Sequence, residues 1–121
     1  MTRQEIQTVT EIVYTKIINH YGEAKHHNHP PYVSIEDTPY SDDEVPDDLF
    51  GEYCSMMNEL IIYWKNIDSL EILVRTLVHE YQHYLQSSSW MTRYYNMGYN
   101  YNDHPYEVYA FNEEERWKEF I

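Results

Sequence analysis

The sequence predicts an α+β domain in which a small sheet of about three mostly antiparallel strands is packed on one side by helices. Two observations carry this. Stretches with helical periodicity and capping signals stand near both ends and before the C-terminal third, and a run of β composition broken by turn residues lies between them. With 121 residues and 42% hydrophobic content, the chain is expected to form one domain, residues 1–121, around a modest core.

Taken in order, Thr2-Arg3-Gln4-Glu5 reads as a capping box that opens a helix, and Ile6, Val9, Val13 and Ile17 mark its buried face. Tyr21-Gly22 ends it. Lys25-His26-His27-Asn28-His29-Pro30-Pro31 is a loop by its proline pair, with its histidines expected in solvent. Tyr32-Val33-Ser34-Ile35 has β composition, and the acid-rich segment from Glu36 to Asp48, punctuated by Pro39 and Pro46, reads as an exposed loop without the spacing of a calcium-binding hand. Two strands, Glu52 to Ser55 and Glu59 to Trp64, are joined through Met56-Met57-Asn58. The lone Cys54 is expected as a small strand residue. It has no intrachain partner, so a reducing, cytoplasmic compartment is the expectation.

A second helix follows, with Asp68 and Glu71 as a capping box and Leu70, Leu73, Val74, Leu77, Tyr81 and Leu85 as its buried stripe. A third is expected from His104-Pro105-Tyr106-Glu107, since proline suits the first helical position and Asp103 or His104 can cap it. Glu113 to Ile121 is expected to continue that helix, with Trp117, Phe120 and Ile121 docked on the body.

The second helix carries His79-Glu80-Tyr81-Gln82-His83, an H-E-x-x-H pattern. In a chain with 7 histidines and 14 glutamates these letters arise by chance in about one sequence in twenty, so the helix around them matters more than the letters. On a helix, positions i and i+4 lie on one face, which lets His79 and His83 reach a single Zn²⁺ while Glu80 serves as general base. Ile72, Thr76, His79, Glu80 and His83 would face a cleft whose floor the helix forms. A catalytic zinc needs a third protein ligand, and Glu107, in the first turn of the third helix and 24 residues after His83, offers a carboxylate.

H-E-x-x-H followed by a helix-borne E-x-x-A (Glu107 to Ala110) resembles the gluzincin metallopeptidases, and the short chain looks like their one-domain minigluzincin form. The likeness spans roughly residues 50 to 115. It implies a zincin-like fold and a zinc-dependent peptidase, with His79, His83 and Glu107 as ligands and Glu80 as catalytic base. His104, Asp103 and Glu113 stand as alternative third ligands. Thermolysin-like members carry an acid four residues after the ligand glutamate to orient the first histidine. Phe111 stands there in this chain, so Asp103, Asn112 or a backbone carbonyl is expected to orient His79. The oxyanion of the reaction would be stabilised by Tyr99, Tyr101, Tyr106 or His104, while most of the chain's 14 tyrosines are expected to pack with wet hydroxyls. An exposed sheet edge above the active helix would take the substrate as an added strand.

A net charge of −13 argues against nucleic acid as a partner, because phosphate binding needs a basic face. No stretch is long and apolar enough for a membrane span, and no signal peptide is indicated. The expected partner is a peptide or protein substrate. The alternative is a catalytically silent, zinc-stabilised module that binds a peptide segment without cutting it.

Overall fold

The computed structural model describes residues 1–26, 29–37, 49–86, 93, 96–100 and 103–121. Its elements are α1 (Arg3–Tyr21), β1 (Tyr32–Glu36), β2 (Gly51–Cys54), β3 (Glu59–Tyr63), a short 3-10 turn (Trp64–Asn66), α2 (Leu70–Leu85), α3 (Pro105–Glu114) and a C-terminal 3-10 turn (Trp117–Phe120). The α+β class is as the sequence predicts. None of these helices is long and apolar enough to cross a membrane.

Both halves of the α1 capping box are made: Thr2 Oγ1 accepts from the Glu5 amide and Glu5 Oε1 accepts from the Thr2 amide, each at 3.1 Å. These bonds satisfy donors that the first helical turn would otherwise leave unpaired. Gly22 ends the helix at φ 76°, a conformation that suits glycine. Helix α2 starts one residue later than the sequence suggests. Ser69 is its cap, with the hydroxyl accepting from the Ile72 amide at 3.2 Å, so Asp68 does not close the expected capping box.

The sheet order is β1-β3-β2, with β3 paired parallel to β1 and antiparallel to β2. It is therefore mixed, with its two pairings divided evenly between the senses. The physical reason is β1. It pairs on the side of β3 away from β2, and antiparallel β2 brings the chain back so that β3 runs parallel to β1. Residues 38–48 of that segment, expected to form a loop, lie outside the described residues.

β3 is central and buried, and Leu60 and Ile62 join Ile6, Val13 and Ile17 of α1 and Leu73, Val74, Leu77 and Val78 of α2 in one core. Tyr14, Tyr81 and Tyr84 complete it, with Tyr81 packed edge-on to Tyr14 at a centroid distance of 5.8 Å. Their hydroxyls are not wet. Tyr14 donates to Pro31 O, Tyr81 to Gly22 O, and Tyr84 accepts from the Ala24 amide. The bonds of Tyr81 and Tyr84 anchor α2, and that of Tyr14 anchors α1, to the segments that flank the histidine loop, and each gives a partner to a hydroxyl that would be costly to bury alone.

The C-terminus departs from the expected continuous helix. α3 ends at Glu114 and the chain turns into Trp117–Phe120, which places Phe120 in the core and leaves Ile121 exposed. Gly51 is where the sheet meets α2. A Cβ there would lie 2.7 Å from Ile61 O and 2.8 Å from Thr76 Cγ2, so β2 can lie against α2 one turn before Glu80 only because residue 51 has no side chain.

The Gly51→Ala variant should therefore lose about 1–3 kcal/mol in urea unfolding. A midpoint equal to that of the wild type would show that the close approach is not a constraint.

Candidate metal centre

α2 and α3 run antiparallel. Arg75 meets Glu114, His79 meets Glu107, and Gln86 meets the carbonyl of Tyr106, so successive turns of one helix face receding turns of the other. The fully buried Ala110, on the contact face of α3, leaves room for the helices to approach. His104 caps α3 through Nδ1, which accepts from the Tyr106 amide at 3.0 Å, and Pro105 follows at the first helical position as predicted.

This packing brings the two imidazoles and a carboxylate to one point. Nε2 of His79 and Nε2 of His83 lie 3.2 Å apart. Glu107 spans them, Oε2 at 3.0 Å from His79 and Oε1 at 2.7 Å from His83. Glu107 is only 4% exposed, and both histidines are buried. Glu80 stands beside them: ligand atoms of His79, Glu80 and His83 all lie within 4.8 Å of one another, a group that could hold a metal ion.

The outer nitrogen of each ring is also engaged. His83 Nδ1 lies 2.8 Å from Gln86 Oε1, while the same amide donates through Nε2 to Tyr106 O. The amide orientation is thereby fixed, so His83 must donate from Nδ1, and its Nε2 is the atom left to bind. Gln86 reaches back in this way because it leaves the helix at the α2 C-cap, with ψ 141°. His79 Nδ1 lies 2.6 Å from Glu114 Oε2. Asp103, Asn112 and a backbone carbonyl were the expected partners of His79, and Glu114 replaces them. Its signal was present in the sequence: seven residues after Glu107 is two helical turns, which returns to the same face.

Other expected residues are placed elsewhere. Glu113 accepts from the Tyr21 hydroxyl and pairs with Arg116, and Asp103 is exposed in a turn. Tyr106 stacks on the His83 ring at 4.2 Å, its hydroxyl 3.5 Å from His83 O, and Tyr99 is 40% exposed. Tyr101 lies outside the described residues, as does His27 of the histidine loop. Thr76 and Ile72 stand on the face of α2 named from the sequence, with the Thr76 hydroxyl turned back to Ile72 O at 2.7 Å.

Buried charge shapes the titration of the cluster. Burial acts to lower the His79 pKa, but the hydrogen bonds to Glu107 and Glu114 and the nearby carboxylate charges outweigh it and raise the value to about 10. Burial acts to raise Glu107, and the two imidazoles outweigh it and hold the carboxyl at about 2. For Glu80 burial wins over the attraction of His83 and His79, and its pKa rises to about 7. Without a cation, the contacts of Glu107 and Glu114 favour the charged form of His79 beside an ionised Glu107.

The donor set fits a divalent zinc-like ion. Tetrahedral bonds of about 2.0–2.1 Å to nitrogen imply a nitrogen–nitrogen edge of about 3.3 Å, close to the observed ring spacing. Two neutral imidazoles and one carboxylate are also the donor chemistry that such an ion accepts. Comparisons with family models, with curated proteins and with solved structures gave no match for this chain.

The pKa shifts dictate how the chelator-treated chain responds to pH. The contribution of Glu107 is present above its ordinary value of 4.5 and is lost as pH falls toward about 2. That of His79 is full below 6.5 and is lost as pH rises through about 10, and Glu80, raised from 4.5 to about 7, adds a loss between those two values. The Tm of the metal-free chain should thus peak near about pH 5 and fall toward both about pH 3 and about pH 9. A Tm that rises steadily from about pH 5 to about pH 9 would contradict the pairing.

Proposed function

We propose that the chain is a zinc-dependent peptidase, an endopeptidase of gluzincin type, that hydrolyses peptide bonds in a peptide or protein substrate. The observation that carries the reading is the convergence of both Nε2 atoms on the Glu107 carboxylate, with Glu80 alongside on the same helix. His79, His83 and Glu107 would hold the ion. Three protein ligands leave a fourth position open, as a catalytic zinc requires. When bound, zinc supplies Lewis acidity that polarises a carbonyl oxygen and acidifies water.

The remaining chemistry belongs to the side chains. Glu80, with a pKa raised to about 7 by burial, accepts a proton from water at near-neutral pH and in its acid form returns it to the departing amine. The Phe111 ring, half-exposed, lies edge-on to His79 at 4.7 Å and gives the centre an apolar neighbour. Among the described residues β2 is paired on one side only, and its Gly51 contact with α2 brings that edge beside the active helix. An extended peptide added there would present its backbone to the centre with little regard for side-chain identity.

The second reading is a zinc-stabilised module that binds a peptide without cutting it. It is favoured by the placement of two expected oxyanion donors: Tyr106 stacks on His83 and His104 caps α3. Glu80 separates the readings, since a closed structural site has no use for a base beside an open position.

Elemental analysis of the untagged protein should find one zinc per chain in the wild type and a marked loss in Glu107→Ala. Glu80→Gln should retain the metal and lose turnover of a peptide library by about 10²–10⁴-fold. Equal cleavage by wild type and Glu80→Gln would rule out the peptidase reading, and zinc retained in Glu107→Ala would rule out the ligand assignment.

A further inference from the structure

Resting on the reading of the cluster as a metal site, we infer that Glu114 is the positioning residue for His79 and fills the role for which position 111 offers only a phenylalanine. Glu107 and Glu114 grip opposite nitrogens of one ring, Nε2 at 3.0 Å and Nδ1 at 2.6 Å. Seven residues of helix advance about 10 Å while returning to within about 20° of the starting face, a step that lets two glutamates of one helix reach both sides of an imidazole. Phe111 occupies the position between them, half-exposed, with its ring edge-on to His79.

The carboxylate of Glu114 is itself held. Its Oε1 lies 3.9 Å from Arg75 Nη1, and Arg75 is tied to Glu115 at 3.1 Å and sits 5.9 Å from the centre of the Trp117 ring. A string of contacts therefore runs from the C-terminal turn through Arg75 and Glu114 to His79. An anionic acceptor on Nδ1 fixes the tautomer and makes Nε2 a stronger donor to a metal. On His83 the corresponding acceptor is the neutral amide of Gln86. The two ligands are thus unequal: His79 is backed by a charge and His83 by a dipole.

The test uses Co²⁺ as a visible probe, with affinity measured by competition against a chelator and the absorption spectrum recorded for each protein. Glu114→Ala should bind about 10- to 100-fold more weakly than wild type, because partners behind metal-bound histidines carry effects of that size. Glu114→Gln should fall between them with an altered cobalt spectrum, since its amide oxygen still accepts from Nδ1 but lacks the charge. Glu11→Gln, which removes an exposed carboxylate of α1 outside the string of Arg75, Glu114 and His79, should bind as the wild type does. Affinity of Glu114→Ala within about twofold of wild type overturns the assignment, about twofold being the scatter expected of near-neutral surface changes. Equal losses in the Gln and Ala variants, matched by equal drops in the Tm of the chelated proteins, also overturn it, since packing alone would then explain them. A wild-type chain that takes up no cobalt fails at an earlier step and overturns the metal reading and this one together.

Discussion

Glu107 touches two imidazole nitrogens at once, and the arrangement of the helices follows from the need to keep that contact paired. A buried carboxylate without partners would give up its charge or unfold its surroundings, and a buried imidazolium would do the same. Each supplies what the other lacks. The shifts of His79 upward and Glu107 downward are two expressions of one interaction, and both vanish if α3 slides along α2. The antiparallel register is then set by pairs at three levels, Arg75 with Glu114, His79 with Glu107, and Gln86 with Tyr106. A one-turn slip would leave several charges unpaired in a poorly solvated place.

Around this pair the rest of the chain acts as a support for α2. The sheet and α1 enclose its apolar stripe, and the hydroxyls of Tyr81 and Tyr84 fasten it to neighbouring backbone. Such bonds contribute modestly one by one, but losing a partner costs the full desolvation of the group left behind. The helix that bears His79 and His83 is consequently fixed on the sides that do not face the metal centre. Side chains carried by a rigid helix and locked through their outer nitrogens would need little reorganisation to take up a cation.

Much of this was legible in the sequence where a local rule dictates the outcome. The Thr2–Glu5 capping box, Gly22 as a stop, Pro105 as a start and the stripe of α2 are each decided within a few residues. The convergence of His79 and His83 is legible for the same reason, because helical geometry alone puts them on one face. Long-range choices were less visible. Ser69 and Asp68 are both good caps, and only the path of the chain into the helix selects the serine. The parallel pairing of β1 with β3 depends on where the chain returns after a long excursion, which composition does not encode. An offset of four residues from Glu107 does not reveal Glu114, because the face of Glu107 returns two helical turns on. The tyrosines offer no comparable signal: a segment dense in phenols presents many candidate donors and no periodicity to rank them.

The central claim is that two histidines and one glutamate form an open, three-ligand zinc centre, and X-ray absorption spectroscopy of the zinc-loaded chain tests it most directly. The account predicts two imidazole scatterers at about 2.0–2.1 Å, the rest of a four-atom shell at oxygen distances of about 2.0–2.2 Å, and loss of one imidazole shell in His83→Ala. A shell made only of oxygen, or one that keeps two imidazoles in that variant, would contradict it.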